Sequence, residues 1–448
     1  MRSRLPLPLA VLALAVAWPA SARADTGVVG PPGARYRAGE VVVRYAPGAS
    51  TKAQAASASP ELVRTRVARL RAGEDVAGAA ARLARRADVV SATPNYVARI
   101  AGFIPRDPGK AGVPGGWQQL QWNFLPGTGV DAPDAWSHLI AAGHPGGRGV
   151  TVAVLDTGVA YADRGRYRRS PDFTASRFVR GYDFVDDDPY PNDENGHGTH
   201  VAGTIAETTG NDVGDTGLAY GVKLMPIRVL DRDGEGDSSV IAKGLRYAAD
   251  HGAQVINLSF EFGEEVTRSQ IPDIVSALRY VRGKGVLVVA ASGNEGAAAI
   301  AYPARAGDVL SVGATTQHGC LAKYSNSGST LSLVAPGGGR DATLPDDPRC
   351  MPNAAPGNDI YQETFVGSVR RFGLPSGWTG TSMATPHVSA TAALVIASGI
   401  LGPHPTPDAI ERRLETTATD LGATGRDPHY GYGLVNAAAA TDPAIPVQ

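Results

Sequence analysis

Three short motifs place an aspartate, a histidine and a serine where they could share acid–base and nucleophilic chemistry. Asp156 ends an apolar run, His197 stands between two glycines, and Ser382 lies where a Gly-Thr turn leads into an apolar stretch. A hydroxyl nucleophile, an imidazole base and a carboxylate that orients the imidazole are the parts needed to attack a carbonyl carbon. Together the motifs predict acyl-transfer catalysis, although each alone also fits an ordinary turn, a structural histidine or a helix cap.

Other interpretations of these residues lead to different chemistry. His197 and His200 have the i, i+3 spacing of a metal-binding pair. Asp-Thr-Gly occurs at both Asp156 and Asp215, as it would in an aspartic protease whose two carboxylates share a proton. Asp215 follows a polar loop instead of an apolar strand, which argues against such a dyad. A secreted binding or adhesive protein on an enzyme fold is the non-catalytic alternative.

Alternating apolar and helix-like segments must position these side chains. The apolar runs, rich in Val, Ile and Leu, occupy residues 150–155, 224–230, 255–260, 286–290 and 309–312. Helical patterns at 238–250 and 274–282 lie between some of these runs. This alternation predicts an α/β fold, with a mostly parallel sheet covered by helices on both faces. A helix over 383–398 would begin just after Ser382, with Pro386 in its first turn.

The first 24 residues predict an export signal. Arg2 and Arg4 precede an apolar stretch over residues 5–18, and Ala22-Arg23-Ala24 has the small-x-small pattern of a cleavage site. The stretch is shorter than the about 20 residues that span a bilayer, and prolines interrupt it, which argues against a membrane anchor. We therefore expect a secreted protein with no membrane association after signal removal.

Residues 25–106 predict a small α+β domain ahead of the α/β region. The pattern favours a strand at 40–45, a helix at 76–86 capped by Asp75 and a closing strand at 95–98. The following Gly/Pro-rich residues 105–116 predict an exposed linker.

The charge of the chain is unevenly distributed. The formal net charge is −1, which gives no indication of a nucleic-acid partner. Residues 25–106 contain 13 Lys/Arg and 6 Asp/Glu, whereas residues 107–448 contain 26 Lys/Arg and 37 Asp/Glu. Opposite charges on the two parts favour docking of one on the other.

The sequence contains two cysteines, Cys320 and Cys350. Export to an oxidising compartment favours a disulfide between them, and two free buried thiols are the alternative. Neither cysteine has neighbours that suggest a nucleophile.

The motifs around Asp156, His197 and Ser382 resemble the signature blocks of the subtilisin family of serine proteases. The order Asp, His, Ser agrees with that family and differs from the orders in α/β-hydrolases and chymotrypsin-like enzymes. The resemblance extends over residues 122–440, and residues 39–99 resemble the family's inhibitory propeptide. It implies a signal peptide at 1–24, a propeptide at 25–106 and a catalytic domain at 107–448.

Activity and roles follow from the resemblance. Ser382 would be the nucleophile, His197 the general base and Asp156 its orienting carboxylate, while His200 and His387 would be packing residues. The family has protein and peptide substrates, needs no cofactor for its chemistry and is inhibited by its own propeptide. We expect a monomer that cuts itself between Arg99 and Gly116.

The resemblance also implies substrate contacts. Asn294 matches the side-chain donor of the oxyanion hole, partnered by the Ser382 backbone N–H. The residues implied in substrate binding are Gly234 and Gly236 in an edge segment, and Ser259, Phe260, Ala291 and Gly293 in the walls of the pocket for the residue before the scissile bond. Glu261 and Phe262 depart from the family pattern, in which glycine is common. The charges of Glu261 and Glu295 suggest the hypothesis of a preference for basic residues there.

A structural calcium site is the last feature that the resemblance implies. The loop at 209–214 follows the histidine motif, as a calcium loop does in many relatives, and its candidate ligands are Asp172 and Asn211. Hard oxygen donors suit Ca²⁺. The acidic run at 186–188 is better explained as a solvated loop.

Overall fold

A computed structural model describes residues 28–29, 36–46, 65–71, 74–96 and 103–447, which divide between two compact units, Met1–Arg99 and Ile100–Gln448. The predicted export signal at 1–24 lies outside the described residues, as does the end of the predicted strand at 95–98. Among the described residues, no helix is long and apolar enough to cross a bilayer.

In its described residues, the first unit contains a four-stranded antiparallel sheet and one helix. Its elements are β1 (Val28–Val29), β2 (Tyr36–Tyr45), β3 (Thr65–Arg69), α1 (Val76–Ala84) and β4 (Val89–Tyr96). Strand β2 pairs with the other three. The predicted strand, helix and Asp75 cap are present, and the Asp75 carboxylate accepts from the backbone of Ala77 and Gly78. Strand β3 was not predicted, because its alternating polar residues give a weak apolar signal.

The second unit is built on a seven-stranded sheet in which every pairing is parallel. Its strands are β5 (Thr151–Asp156), β6 (Tyr182–Asp183), β7 (Lys223–Arg228), β8 (Val255–Leu258), β9 (Leu287–Ala291), β10 (Leu310–Thr315) and β11 (Leu333–Pro336). A separate hairpin pairs β12 (Thr364–Phe365) with β13 (Phe372–Gly373). The predicted α/β fold with a parallel sheet is confirmed.

Helices cover both faces of this sheet. They are α2 (Ala132–Ala141), α3 (His197–Ala206), α4 (Ser238–Asp250), α5 (Pro272–Gly283), α6 (Thr381–Ser398), α7 (Pro407–Thr416) and α8 (Ala437–Thr441). Short 3₁₀ turns lie at Gly116–Gln119, Trp122–Phe124, Pro145–Gly147 and Ala175–Arg177. Val152 and Val154 of β5 enter one apolar core, and Ala153 and Leu155 enter the other. Burial on both faces explains why the strands read as continuous apolar runs.

Strand β5 lies where the order of the sheet reverses. The order is β11-β10-β9-β8-β5-β7-β6. After β5 the chain forms β6 and β7 on one side of that strand, and it then crosses to β8 on the other side. Open α/β sheets form their binding crevice at such a switch point, beyond the carboxyl ends of the strands. Asp156 is the last residue of β5 and therefore faces that crevice.

Helix α6 begins earlier than the sequence predicts. It starts at Thr381, so Ser382 lies within its first turn and Pro386 lies inside the helix, which corrects the predicted position of this proline. Because proline has no N–H, it cannot donate to the carbonyl four residues earlier. That carbonyl belongs to Ser382, and it accepts a hydrogen bond from Ser259 Oγ at 2.8 Å.

The prediction of an exposed linker at 105–116 is wrong near both ends of the segment. Pro105 and Asp107 are buried. The Trp117 indole donates to the Pro105 carbonyl, and the Asp107 carboxylate accepts from the backbone of Gly210 and Asn211. Arg106 and residues 110–114 of the segment are exposed.

Cys320 and Cys350 are joined in a disulfide, as predicted. Cys320 lies in the buried interior. The alternative of two free thiols is excluded, because no free cysteine is present and both cysteines are among the described residues.

Candidate active site

Asp156 and His197 form the first contact of the candidate site. His197 is the first residue of α3, and its Nδ1 lies 2.7 Å from Asp156 Oδ1. Asp156 is fully buried, and the same oxygen accepts from the Thr157 backbone N–H at 2.8 Å. A Cβ at Gly198 would lie 2.1 Å from the Gly158 carbonyl oxygen and 3.1 Å from Asp156 Oδ1. Glycine at this position therefore permits the close approach of α3 to β5.

The imidazole of His197 is held in a strongly polarising environment. Its burial by itself disfavours the charged ring, but the negative charge and hydrogen bond of Asp156 outweigh that effect and raise the pKa of His197 above 6.5. The side chain keeps 22% of its surface exposed, so a ligand can reach it. Such a histidine is suited to accept a proton and then carry the positive charge.

A buried carboxylate that sequence analysis missed fixes the loop before His197. Asp193 accepts from the backbone N–H of Asn195 and Gly196 at 2.9 Å and from the Thr199 hydroxyl at 2.6 Å. It also accepts from Thr157 Oγ1 at 2.9 Å, which joins the loop to the turn after Asp156. An Asp four residues before the histidine, just ahead of a helix, is a capping signal that could have identified it.

Ser382 makes its hydrogen bonds with Ser259. Ser382 Oγ donates to the Ser259 carbonyl at 3.0 Å, and Ser259 Oγ donates in return to the Ser382 carbonyl. Ser382 is the second residue of α6, where backbone N–H groups lack intrahelical partners. The hydroxyl therefore lies at the positive end of the helix dipole.

Asn294 lies beside the start of α6. Its side-chain oxygen accepts from the backbone N–H of Thr381 at 2.9 Å, and its side-chain nitrogen donates to Glu261 Oε1 at 3.1 Å. A Cβ placed on Gly380 would lie 3.5 Å from Asn294 Oδ1 and 3.7 Å from the Ser382 backbone nitrogen. The structure thus brings Asn294 and the Ser382 N–H to one location.

The predicted substrate segments border the same crevice. Asn195, two residues before His197, donates to the Arg232 carbonyl, which attaches the turn containing Gly234 and Gly236 to the histidine loop. On the other side, Ser259 and Phe260 follow β8, while Ala291 ends β9 and Gly293 follows it. These two strands are neighbours in the sheet.

His200 and His387 are buried and bonded elsewhere. Burial lowers the pKa of His200 to about 3 and that of His387 to about 4, so both rings are neutral near pH 7. His200 Nε2 donates to the Ile360 carbonyl and its ring stacks on Trp378, whereas His387 lies against Asn123 and the Met383 carbonyl. Within the part of the chain described, no cluster of three His, Cys, Asp or Glu is placed to hold a metal ion.

The aromatic neighbour of His197 was not predicted from the sequence. The Trp378 ring lies 6.1 Å from the His197 ring, and Thr364 Oγ1 donates to the Gly196 carbonyl. The β12–β13 hairpin and the segment after it therefore form one border of the crevice. No motif distinguishes Trp378, because its position depends on a segment that is remote in sequence from the histidine.

Asp172 and Asn211 do lie together, in a group of buried acids. Asn211 Nδ2 donates to Asp172 Oδ1 at 2.8 Å, while Asp172 Oδ2 is buried and has no hydrogen-bond partner among the described residues. Asp107, Asp215 and Glu363 act on Asp172 and raise its pKa, after the larger effect of burial. Asp215 thus belongs to this group, and the charges that act on it come from Glu363 and Asp107 and not from Asp156.

Comparison with known protein families identifies two regions. Residues 147–433 match the sequence model of the subtilase family, Peptidase_S8. Residues 22–95 match the fervidolysin N-terminal prodomain. The prodomain match covers the small antiparallel unit, and the subtilase match covers the parallel sheet.

Individual relatives agree with this division. The chain is 40% identical to Subtilisin BL of Lederbergia lenta over 325 residues. The aligned region covers 72% of this chain and 99% of the relative. It is 35% identical to Thermitase of Thermoactinomyces vulgaris over 308 residues, 69% of this chain and 92% of the relative. A solved protease structure from Pseudoalteromonas arctica superposes with a TM-score of 0.60 at 29% identity and covers 76% of this chain and 99% of that one.

Proposed function

We propose, for a chain that belongs to the subtilase family of serine proteases, that Asp156, His197 and Ser382 are its catalytic triad and that it is a secreted, self-maturing endopeptidase. Its enzyme class is that of subtilisin-like proteases, which hydrolyse peptide bonds and need no cofactor for catalysis. The observation that carries the proposal is the 2.7 Å contact between the buried Asp156 carboxylate and His197 Nδ1, at the switch point of the sheet. The aspartic-protease alternative is wrong, since the family is a serine protease family.

The proposed chemistry begins with a rotation of the serine hydroxyl. Because His197 Nδ1 is bonded to Asp156, its Nε2 is left to accept the Ser382 proton. Ser382 Oγ must turn from the Ser259 carbonyl to His197 before it attacks the scissile carbonyl. The same imidazole then gives its proton to the leaving amine, and water hydrolyses the acyl-enzyme.

Asn294 and the Ser382 backbone N–H are the proposed oxyanion hole. An asparagine amide has two N–H donors, and Glu261 takes one of them. The other is available to the developing negative charge, while the Thr381 contact holds the amide in place. Donors fixed in advance stabilise that charge without reorganisation during the reaction.

The propeptide supports the self-maturation part of the proposal. The prodomain match at residues 22–95 shows that the protease carries a propeptide, and we propose residues 25–106 as its extent and as an inhibitor of the enzyme. The signal peptide at 1–24 and the cut between Arg99 and Gly116 belong to the same proposal.

Mass spectrometry of the purified precursor tests this proposal. We expect the wild-type precursor to lose its N-terminal residues up to a cut between Arg99 and Gly116 and then to digest casein, whereas Ser382→Ala stays intact and inactive. Ser376→Ala, a change of an exposed serine six residues earlier, should mature like the wild type. A Ser382→Ala precursor that matures normally when purified alone would contradict self-cleavage.

We also propose that Asp172 and Asn211 contribute to a structural calcium site. The buried Asp172 Oδ2 lacks a hydrogen-bond partner among the described residues, and such a hard oxygen donor fits Ca²⁺. The ion would supply positive charge to a group of buried acids and fix the loop at 209–214, without taking part in catalysis.

Removal of calcium should lower the thermal stability of the protein. A ligand at 100 times its Kd stabilises the native state by about 2.7 kcal/mol, which corresponds to about 4 °C in the melting temperature of a catalytic domain of this length. Calorimetry of Ser382→Ala, which avoids self-digestion, should show this difference between calcium and chelator. Asp172→Asn should abolish it, and the exposed control Asp346→Asn should retain it. Equal melting temperatures in calcium and chelator would contradict the site.

A further inference from the structure

Glu261 places a carboxylate between the two proposed walls of the substrate pocket. Its Oε1 accepts from Asn294 Nδ2 at 3.1 Å, so the side chain spans from the segment after β8 to the segment after β9. Gly293 leaves room for the Glu261 carboxylate, because a Cβ at residue 293 would lie 2.4 Å from Glu261 Oε2. Glycine at 293, which has φ of +116°, is therefore required both by the backbone and by the carboxylate.

The other oxygen of this carboxylate lacks a partner. Glu261 Oε2 is buried and accepts no hydrogen bond from the described residues. None of the ion pairs in the described ranges involves Glu261 or Glu295. Burial, followed by the charge of Glu295, raises the pKa of Glu261 to about 7. A buried acceptor that faces a second carboxylate is stabilised when a cation is supplied.

Neutral amide groups hold both carboxylates beside Asn294. Glu295 Oε2 accepts from Asn326 Nδ2 at 2.7 Å and from the Asn294 backbone N–H at 3.0 Å. These contacts fix the positions of the carboxylates, and none of them supplies a full positive charge. The pair therefore forms a preorganised acidic site next to Asn294.

The distance to the scissile bond fits one substrate residue. On the proposed function, Asn294 donates to the scissile carbonyl oxygen, and Glu261 Oε1 accepts from the other N–H of the same amide, about 5 Å from that oxygen. The side chain of the residue before the scissile bond starts next to that carbonyl. A lysine or arginine stem is long enough to bring its cation to the Glu261 carboxylate.

From these contacts we infer that Glu261 is a specificity-determining residue that selects a lysine or arginine side chain immediately before the scissile bond, with Glu295 assisting. The inference rests on the proposed function and adds the substrate class to it. A substrate cation would both satisfy Oε2 and neutralise the repulsion between the two carboxylates. Glycine, which the family commonly has at this position, offers neither interaction.

Matched peptides that differ only in lysine or norleucine before the cut test this inference. Wild-type mature enzyme should give a higher kcat/KM for the lysine peptide, and Glu261→Gln should lower the lysine-to-norleucine ratio by about tenfold or more. Glu264→Gln, which removes an exposed carboxylate from the same loop, should leave the ratio unchanged. The ratio cancels any common effect of the substitution on Asn294.

Two results would overturn the inference. One is a wild-type enzyme with the same kcat/KM for the norleucine peptide and for the lysine peptide. This result overturns the inference even if Glu261→Gln does not fold. The other is an equal loss for both peptides in Glu261→Gln, which would make Glu261 only a positioning residue for Asn294. Hydrolysis of the norleucine peptide that disappears in Ser382→Ala reports the proposed function separately, so the two failures are distinguishable.

Discussion

Replacement of Ser382 by alanine should lower kcat for a peptide substrate by about 10⁶-fold, a magnitude measured for subtilisin and not obtained from this structure. The reason is that no acyl-enzyme can form without the hydroxyl. For this measurement, a protease of another class removes the propeptide from the mutant precursor and is then inhibited. Inhibition by a retained propeptide therefore cannot be mistaken for the loss of the catalytic hydroxyl. Residual hydrolysis above the uncatalysed rate would come from the oxyanion hole and from substrate binding.

The exposed Ser376 provides the control for this measurement. Ser376→Ala should retain wild-type kcat and KM because its hydroxyl lies outside the proposed machinery. A Ser382→Ala enzyme with more than about one hundredth of wild-type activity would contradict the assignment of the nucleophile.

Asp156→Asn should lower kcat by about 10⁴-fold, the effect of the equivalent change in another triad protease. Asparagine can present its N–H to His197 Nδ1 and so stabilise the wrong tautomer. The pH profile should change as well. Because Asp156 raises the pKa of His197 above 6.5, wild-type activity should appear as pH rises through that raised value, when the imidazole becomes neutral. Without the carboxylate, the midpoint of this acid limb should move to lower pH.

Initial rates of peptide hydrolysis, measured between about pH 5 and pH 9, report both the loss of activity and the shift of the acid limb. Asp346→Asn, which changes an exposed carboxylate, should reproduce the wild-type profile. An Asp156→Asn enzyme whose acid limb stays at the wild-type pH would show that Asp156 does not interact with the catalytic base.

The fold was predictable where burial leaves a simple pattern in the sequence. Strands such as β5 and β9 are buried on both faces, so their apolar runs mark them directly. Strand β3, with an alternating burial pattern on an exposed sheet, left no comparable signal. The start of α6 was misplaced because the Ser382 carbonyl, to which Pro386 cannot donate, accepts instead from Ser259, 123 positions before Ser382.

The candidate site was predictable only as separate motifs. Sequence motifs marked Asp156, His197, Ser382 and Asn294, but they carry no information on how remote segments meet. The contact between Glu261 and Asn294 joins residues 33 positions apart, and the position of Trp378 beside His197 depends on a distant hairpin. Charge alone suggested a role for Glu261, whereas the contact geometry specifies which of its oxygens lacks a hydrogen-bond partner among the described residues.

Labelling with a fluorophosphonate, followed by peptide mapping, tests the central claim most directly. The reagent reacts with a serine hydroxyl that an adjacent base activates. We predict that mature wild-type enzyme is modified at Ser382 with loss of casein hydrolysis, and that His197→Ala is modified far more slowly. Modification at a different serine, or complete hydrolysis of casein by enzyme that remains unlabelled, would contradict the proposed triad.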